Sequence, residues 1–263
     1  MDIVALVGLG TTVEQEAPLL AADLGSTPYE TALLLRTPPP VPLLRTPDRA
    51  RALDLLGKMR ARGHDVVACD AAAIVTGEAM THVRSFRLDP DAFDVTSVTN
   101  TNERAPWPDI AAFVRAVHRS SSQHVEKSTE RKFSFGRAAM SGGVLLSKTT
   151  TKETKHTAEE REQVLYVFRR TGTPLLIAQS RVLYTGLAAE LRPSQMENFA
   201  TLLRLLRQRA PSAAYDERLL RPRPGGERVQ AGAGGTVSSS SSDTVDALAH
   251  LVVLALSRRP AGQ

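Results

Sequence analysis

The 263-residue chain is poor in the residues that several chemistries require. Its one cysteine, Cys69, can form no internal disulfide, a usage that fits a reducing compartment. Aromatic residues make up 5%, which argues against a surface that stacks successive bases. No apolar run approaches the roughly 20 residues needed to cross a bilayer. Asp2, with no Lys or Arg ahead of the first apolar run, does not read as the start of a secretory signal, so the cytoplasm is the expected compartment. The histidines His64, His82, His118, His124, His156 and His250 include no pair four apart, the spacing that sets two imidazoles on one helix face for zinc. Asp89, Asp91 and Asp94 lack the glycine that a calcium loop needs at its sixth position, and Asn100 stands where its closing glutamate belongs. Neither Gly-x-Ser-x-Gly nor Ser-x-x-Lys occurs. The sequence therefore nominates no catalytic residue, no metal site and no cofactor.

The opening "MDIVALVGLG" looks like a strand entering a phosphate-binding turn. A dinucleotide loop needs a third small residue three positions after its second glycine, and Val13 stands there. A second helical segment also intervenes before the next strand. Gly8 and Gly10 are expected only to turn the chain out of a strand.

What the sequence does have is a concentrated positive charge. Nine Lys or Arg lie between Arg115 and Lys155 against Glu126, Glu130 and Glu153, so that segment is +6 of a net +5 and the remainder is −1. Arg119, Lys127, Arg131, Lys132, Arg137, Lys148, Lys152 and Lys155 sit among Ser and Thr, which also donate to phosphate oxygens. They are the candidate site for a polyanion or an acidic partner. The competing expectation is two polar loops whose lysines keep strand edges soluble.

The elements predict an α+β protein. Residues 1–72 read as β-α-α-β-α-β. Pro28 and Glu30 open the second helix behind Ser26 or Thr27, Pro38 to Pro40 stop it, and Pro42 suits an edge strand. Pro47 and Asp48 open the third helix, and Ala52, Leu55, Leu56 and Met59 form its apolar face. The order of elements and the run "LGSTPYETALLLRTPPPVPLLRTPDRARALDLLGKMRARGHDVVACD" resemble the C-terminal domain of the ribosomal stalk protein. The likeness covers about a quarter of the chain and is one of spacing. It implies fold alone, because that family's factor-binding helix carries lysine and "STPYETALLL" has none.

From 78 to 222 the pattern is strand-rich. "HVRSFRL" and "DVTSVT" flank "DPDAF" as a hairpin, and two more strands are expected around Gly142 and Gly143. "PWPDIAAFVRAVH" suits helix or strand. A helix closes the segment, with Ser194 and Glu197 as a capping box and Met196, Phe199, Leu203 and Leu206 as its stripe. Short strands closed by one amphipathic helix resemble the bacterial pleckstrin-homology-like domains, a fold that does not select a ligand. Residues 223–242, rich in Gly and Ser, read as a flexible linker. Residues 243–263 read as a tail helix capped by Asp243 and Asp246, whose Leu248, Leu251, Val252 and Leu254 would dock on a partner, a second copy or the chain itself.

The function expected is a non-enzymatic cytoplasmic adaptor or regulatory binding protein with an unknown protein partner or self-association through its tail helix. The alternatives are a binder of nucleic acid or acidic membrane through residues 115–155, and an enzyme with a dispersed site. The glycine pair yields a direct test. NAD, NADP and ATP at millimolar levels should leave the melting temperature unchanged, whereas a ligand at 100 times its dissociation constant adds about 2.7 kcal/mol. A clear upward shift would restore the phosphate-binding reading.

Overall fold

The structure, a computed structural model, describes residues 1–133, 147–221, 228–231 and 237–258, with side chains described outside 121–159 and 222–240. The chain divides into two compact units. One comprises Met1–His118, Glu162–Gly226 and Ser241–Gln263, and the other Arg119–Arg161 and Glu227–Ser240.

In the larger unit the chain begins with β1 (Asp2–Gly8), α1 (Val13–Leu24), α2 (Pro28–Leu35), β2 (Val41–Thr46), α3 (Arg49–Ala61) and β3 (Asp65–Asp70). Local chemistry starts each helix. Thr12 and Asp48 cap α1 and α3, and Thr27 and Glu30 form a reciprocal box on α2 with Pro28 in its first turn. Gly25 ends α1 at φ 72°, a conformation that favours glycine. The strands form an antiparallel sheet ordered β2-β1-β3, which puts Pro42 on an edge strand. Central β1 is buried on both faces. Val4 and Leu6 pack with Leu20, Leu55 and Met59 of the helices, whereas Ile3, Ala5 and Val7 face a different core.

Gly10 is explained by a close approach. A Cβ there would lie 2.1 Å from the Gly63 carbonyl oxygen, and the Gly10 N–H donates to His64 Nδ1 at 3.0 Å. That amide is committed to an internal partner.

The second sheet of this unit runs β10-β7-β8-β9-β4-β5-β6. Its strands are β4 (Thr81–Leu88), β5 (Ala92–Ser97), β6 (Asn102–Pro106), β7 (Ile110–Phe133), β8 (Ser147–Arg169), β9 (Leu175–Ala178) and β10 (Ala214–Leu219). The hairpin expected over 82–99 is β4–β5. The ambiguous 109–118 is strand from Ile110 onward, with alternate residues feeding two cores: Ala112, Val114 and Ala116 in one, Phe113 in the other. Phe113, Leu165, Val167 and Ile177 pack under α4 (Gln195–Arg209). Its Ser194–Glu197 box forms, and its buried stripe is Phe199, Leu202, Leu203 and Leu206. Met196, expected in that stripe, is instead 65% exposed.

The smaller unit holds the distal parts of β7 and β8 together with β11 (Arg228–Ala231) and β12 (Val237–Ser240). β12 pairs antiparallel with β7, Ser240 opposite Ser120 and Val237 opposite Gln123. The reading of 223–242 as a flexible linker thus fails at 228–231 and 237–240. Strand pairing is made by backbone groups, so a polar, low-complexity stretch without hydrophobic alternation can still form it. The strands expected around Gly142 and Gly143 lie partly outside the described residues.

The tail helix is α5 (Ser242–Leu256), and it is core. Leu248, Leu251 and Val252 are at most 3% exposed, and they share one cluster with Ile3 and Val67 of the first sheet and Val114, Tyr166 and Phe168 of the second. Leu254 is half-buried against the same cluster. The expected partner face is therefore occupied by the chain itself, which is why the helix is apolar on nearly every side. Its cap also differs. Ser241 is at the N-cap without a side-chain capping bond to the helix, and Asp246 lies inside the helix, buried.

Burying four Val and Leu side chains at about 2 kcal/mol each contributes roughly 8 kcal/mol, comparable to the whole net stability of a domain, about 5–15 kcal/mol. Ending the chain after Ser240 should therefore abolish cooperative unfolding and raise binding of a hydrophobic dye. A truncated chain with an unchanged urea transition would show that α5 is dispensable.

Candidate functional site

Two arrangements in the larger unit bring chemistry-bearing side chains together. The first is buried. The Tyr166 hydroxyl donates to Asp246 Oδ1 at 2.5 Å, and His118 Nε2 lies 2.7 Å from the same hydroxyl oxygen. Since the phenol proton goes to the carboxylate, His118 serves as donor with its proton on Nε2. Asp246 Oδ2 accepts from the Gly77 N–H at 2.8 Å, and His82 Nε2 lies 2.7 Å from the Gly77 carbonyl. A Cβ on Gly77 would sit 2.5 Å from Asp246 Oδ2, so a larger residue there displaces the carboxylate.

Burial governs the titration of this row. It pushes the His118 imidazole down to about 4, although the nearby Glu162 charge opposes the shift. It raises the Asp246 carboxyl against the bonds from Tyr166 and Gly77, and raises the Tyr166 phenol well above its usual range. The row is a chain of hydrogen bonds from His118 through Tyr166 and Asp246 to the Gly77 N–H. Tyr166 is 0% exposed, and the His118 side chain retains 17% exposure against 1% for Asp246. This row holds α5 in place.

The second arrangement is open to solvent. A groove of about 570 Å³ lies between α4 and β10, its floor including Leu203 and Pro211 and its walls Arg115, Arg204, Arg207 and Tyr215. The amphipathic pattern of α4 accounts for one wall: with Leu203 and Leu206 turned to the sheet, Arg204 and Arg207 take the outer face. The Arg207 guanidinium stacks 4.1 Å from the Tyr215 ring centroid. Arg115 is fixed differently: it donates to Gln163 Oε1 from Nε at 3.2 Å and from Nη2, and lies 6.0 Å from the Phe199 ring. Arg204 pairs with Glu190 and bonds Gln208. The lining contains three arginines and no Asp or Glu.

Of the residues nominated from sequence, Arg119 is half-buried and engaged by neighbours. Lys127, Arg131 and Lys132 stand in β7 and Lys148, Lys152 and Lys155 in β8, so these stretches are strand where loops were the competing expectation. Their side chains, and all of Arg137, lie outside the described residues. Arg115 counted toward the basic segment without being singled out, and Arg204 and Arg207 are visible in sequence only as the polar face of a helix. What marks the three as a set is convergence.

Among the described residues, no group of three or more His, Cys, Asp or Glu is placed to hold a metal ion, and no helix is long and apolar enough to cross a membrane. Compared with protein-family models, with curated proteins and with solved structures, the chain finds no match.

The buried row predicts a pH dependence. His118 is harder to protonate in the folded state than at its ordinary 6.5, so its stabilisation is present above pH 6.5 and is lost as pH falls toward about 4. The full effect is about 3 kcal/mol. Asp246 acts with the opposite sign, its raised carboxyl favouring the fold at pH below its shifted value. His118→Gln, which keeps a donor for Tyr166, should flatten the fall in urea stability between pH 6.5 and 4. Parallel wild-type and variant profiles would remove His118 from the account.

Proposed function

We propose that this chain is a non-enzymatic binding protein, an adaptor that recognises an acidic partner. The observation that carries the reading is the groove between α4 and β10, which three arginines line beside apolar residues and no carboxylate lines. Two further features support binding over catalysis. The perturbed groups His118, Tyr166 and Asp246 form one hydrogen-bonded row inside the core, with Tyr166 between the other two. The groove lining offers no Ser, Cys, His, Asp or Glu to act as nucleophile or general base.

Nucleic acid or an acidic membrane is the second reading, carried by the +6 charge of residues 115–155. Polyanion binding there would release counterions and give a log–log salt slope of about −3 to −4 for roughly three to five phosphates. The whole chain should be titrated against polyglutamate, a duplex oligonucleotide and phosphatidylserine vesicles at two salt concentrations. Tightest binding to polyglutamate, weakened by salt, is the expected result. Preference for the oligonucleotide or vesicles, lost when Lys127, Arg131, Lys132, Lys148, Lys152 and Lys155 become Gln, would establish the second reading. No binding to any anionic probe at low salt would sink both.

A further inference from the structure

Resting on the acidic-partner reading, we infer that the α4–β10 groove seats a short acidic peptide segment of a partner protein, with carboxylates on Arg115 and Arg207 and apolar side chains over Leu203 and Pro211. Charge complementarity selects the occupant. Arg204 is already neutralised by Glu190, so Arg115 and Arg207 supply the uncompensated charge of the lining. Among the described residues no carboxylate pairs with either.

Both guanidinium groups are held before any ligand arrives. The Arg207 guanidinium lies over the Tyr215 ring at 4.1 Å, a contact that uses the face of the guanidinium and not its N–H edge. Gln163 holds Arg115 by Nε and Nη2, and Arg115 also interacts with the Tyr215 hydroxyl, so its charge is fixed in the groove wall before a second carboxylate arrives. Pre-ordering lowers the entropy that binding must overcome, and the fork of each guanidinium matches a carboxylate edge. A phosphate-rich ligand fits less well. The lining has no Lys, Ser or Thr, and the Tyr215 ring that could stack a base is covered by Arg207. The span suits a peptide: Ala200 to Gln208 covers about 12 Å of helix, the length of roughly four extended residues.

The test uses the full chain and a fluorescein-labelled peptide of about eight residues, made of Glu, Asp, Leu and Phe, read by fluorescence polarisation. A charge-matched peptide without Leu or Phe is the comparison. Arg207→Gln and Arg115→Gln should each weaken the first peptide about tenfold, the equivalent of one lost charge-assisted contact. Arg87→Gln, an equal charge change at an exposed ion pair elsewhere, should leave it unchanged. The comparison peptide should bind about tenfold more weakly than the first. Arg207 is exposed, so its variant decides the matter should Arg115→Gln fail to fold. Wild-type affinity in Arg207→Gln, with loss in the six-fold variant of the basic segment, would overturn the groove and leave an acidic partner bound elsewhere. Equal affinity for the two peptides would overturn the role of the apolar floor. If the peptide fails to bind while polyglutamate binds, the inference falls alone; if no anionic probe binds, it falls with the reading on which it rests.

Discussion

The carboxylate of Asp246 is buried on the apolar face of α5, and the larger unit is organised around satisfying it. One oxygen accepts from Tyr166 on β8 and the other from the backbone of Gly77, before β4. An isolated buried charge would cost several kcal/mol, so the site is tolerable only with both bonds in place. Each bond then constrains the next layer. Tyr166 holds His118 on β7, and the Gly77 peptide holds His82 on β4. Apolar packing supplies most of the attraction between α5 and its surroundings, but it is not directional. The hydrogen-bonded row fixes which turn of α5 meets which strand.

A similar device closes the first sheet. His64 receives the Gly10 N–H on Nδ1, which leaves its proton on Nε2, 2.8 Å from the buried Glu16 carboxylate. Arg62 reaches both Glu16 and Asp23 at 2.9 Å. In both places a glycine permits the close approach and a polar side chain secures it. The glycine pair that looks like a nucleotide signature therefore belongs to the packing of a loop against the end of α3. Cys69 is part of the same economy: half-buried against the main core, its thiol is pushed up by burial and behaves as a packing group.

The groove arginines contrast with these internal networks. Arg62 and Arg169 close ion pairs with carboxylates of the same chain, whereas Arg207 lies over an aromatic ring and is exposed. A cation held in position yet unneutralised contributes little to stability, which is why the proposed function attaches to Arg207 and Arg115 and not to the more numerous paired arginines.

The sequence by itself determined what depends on neighbours a few residues away. Thr27 with Glu30, Ser194 with Glu197, Asp48, Gly25 and the β4–β5 turn are local signals, and the elements they delimit stand where the periodicity places them. The α+β class and the β-α-α-β-α-β order of the first 70 residues follow from them. Tertiary structure alone decided the rest. The apolar pattern of α5 says that the helix must be covered, and cannot say by what; Asp246 reads as a cap until Tyr166 and Gly77 arrive from 80 and 169 residues away. Serine-rich 237–240 becomes a strand because β7 offers backbone partners, a property that side-chain pattern does not encode. Arg115, Arg204 and Arg207 become one groove only when β7, α4 and β10 meet, since convergence is set by long-range packing and leaves no trace in spacing along the chain.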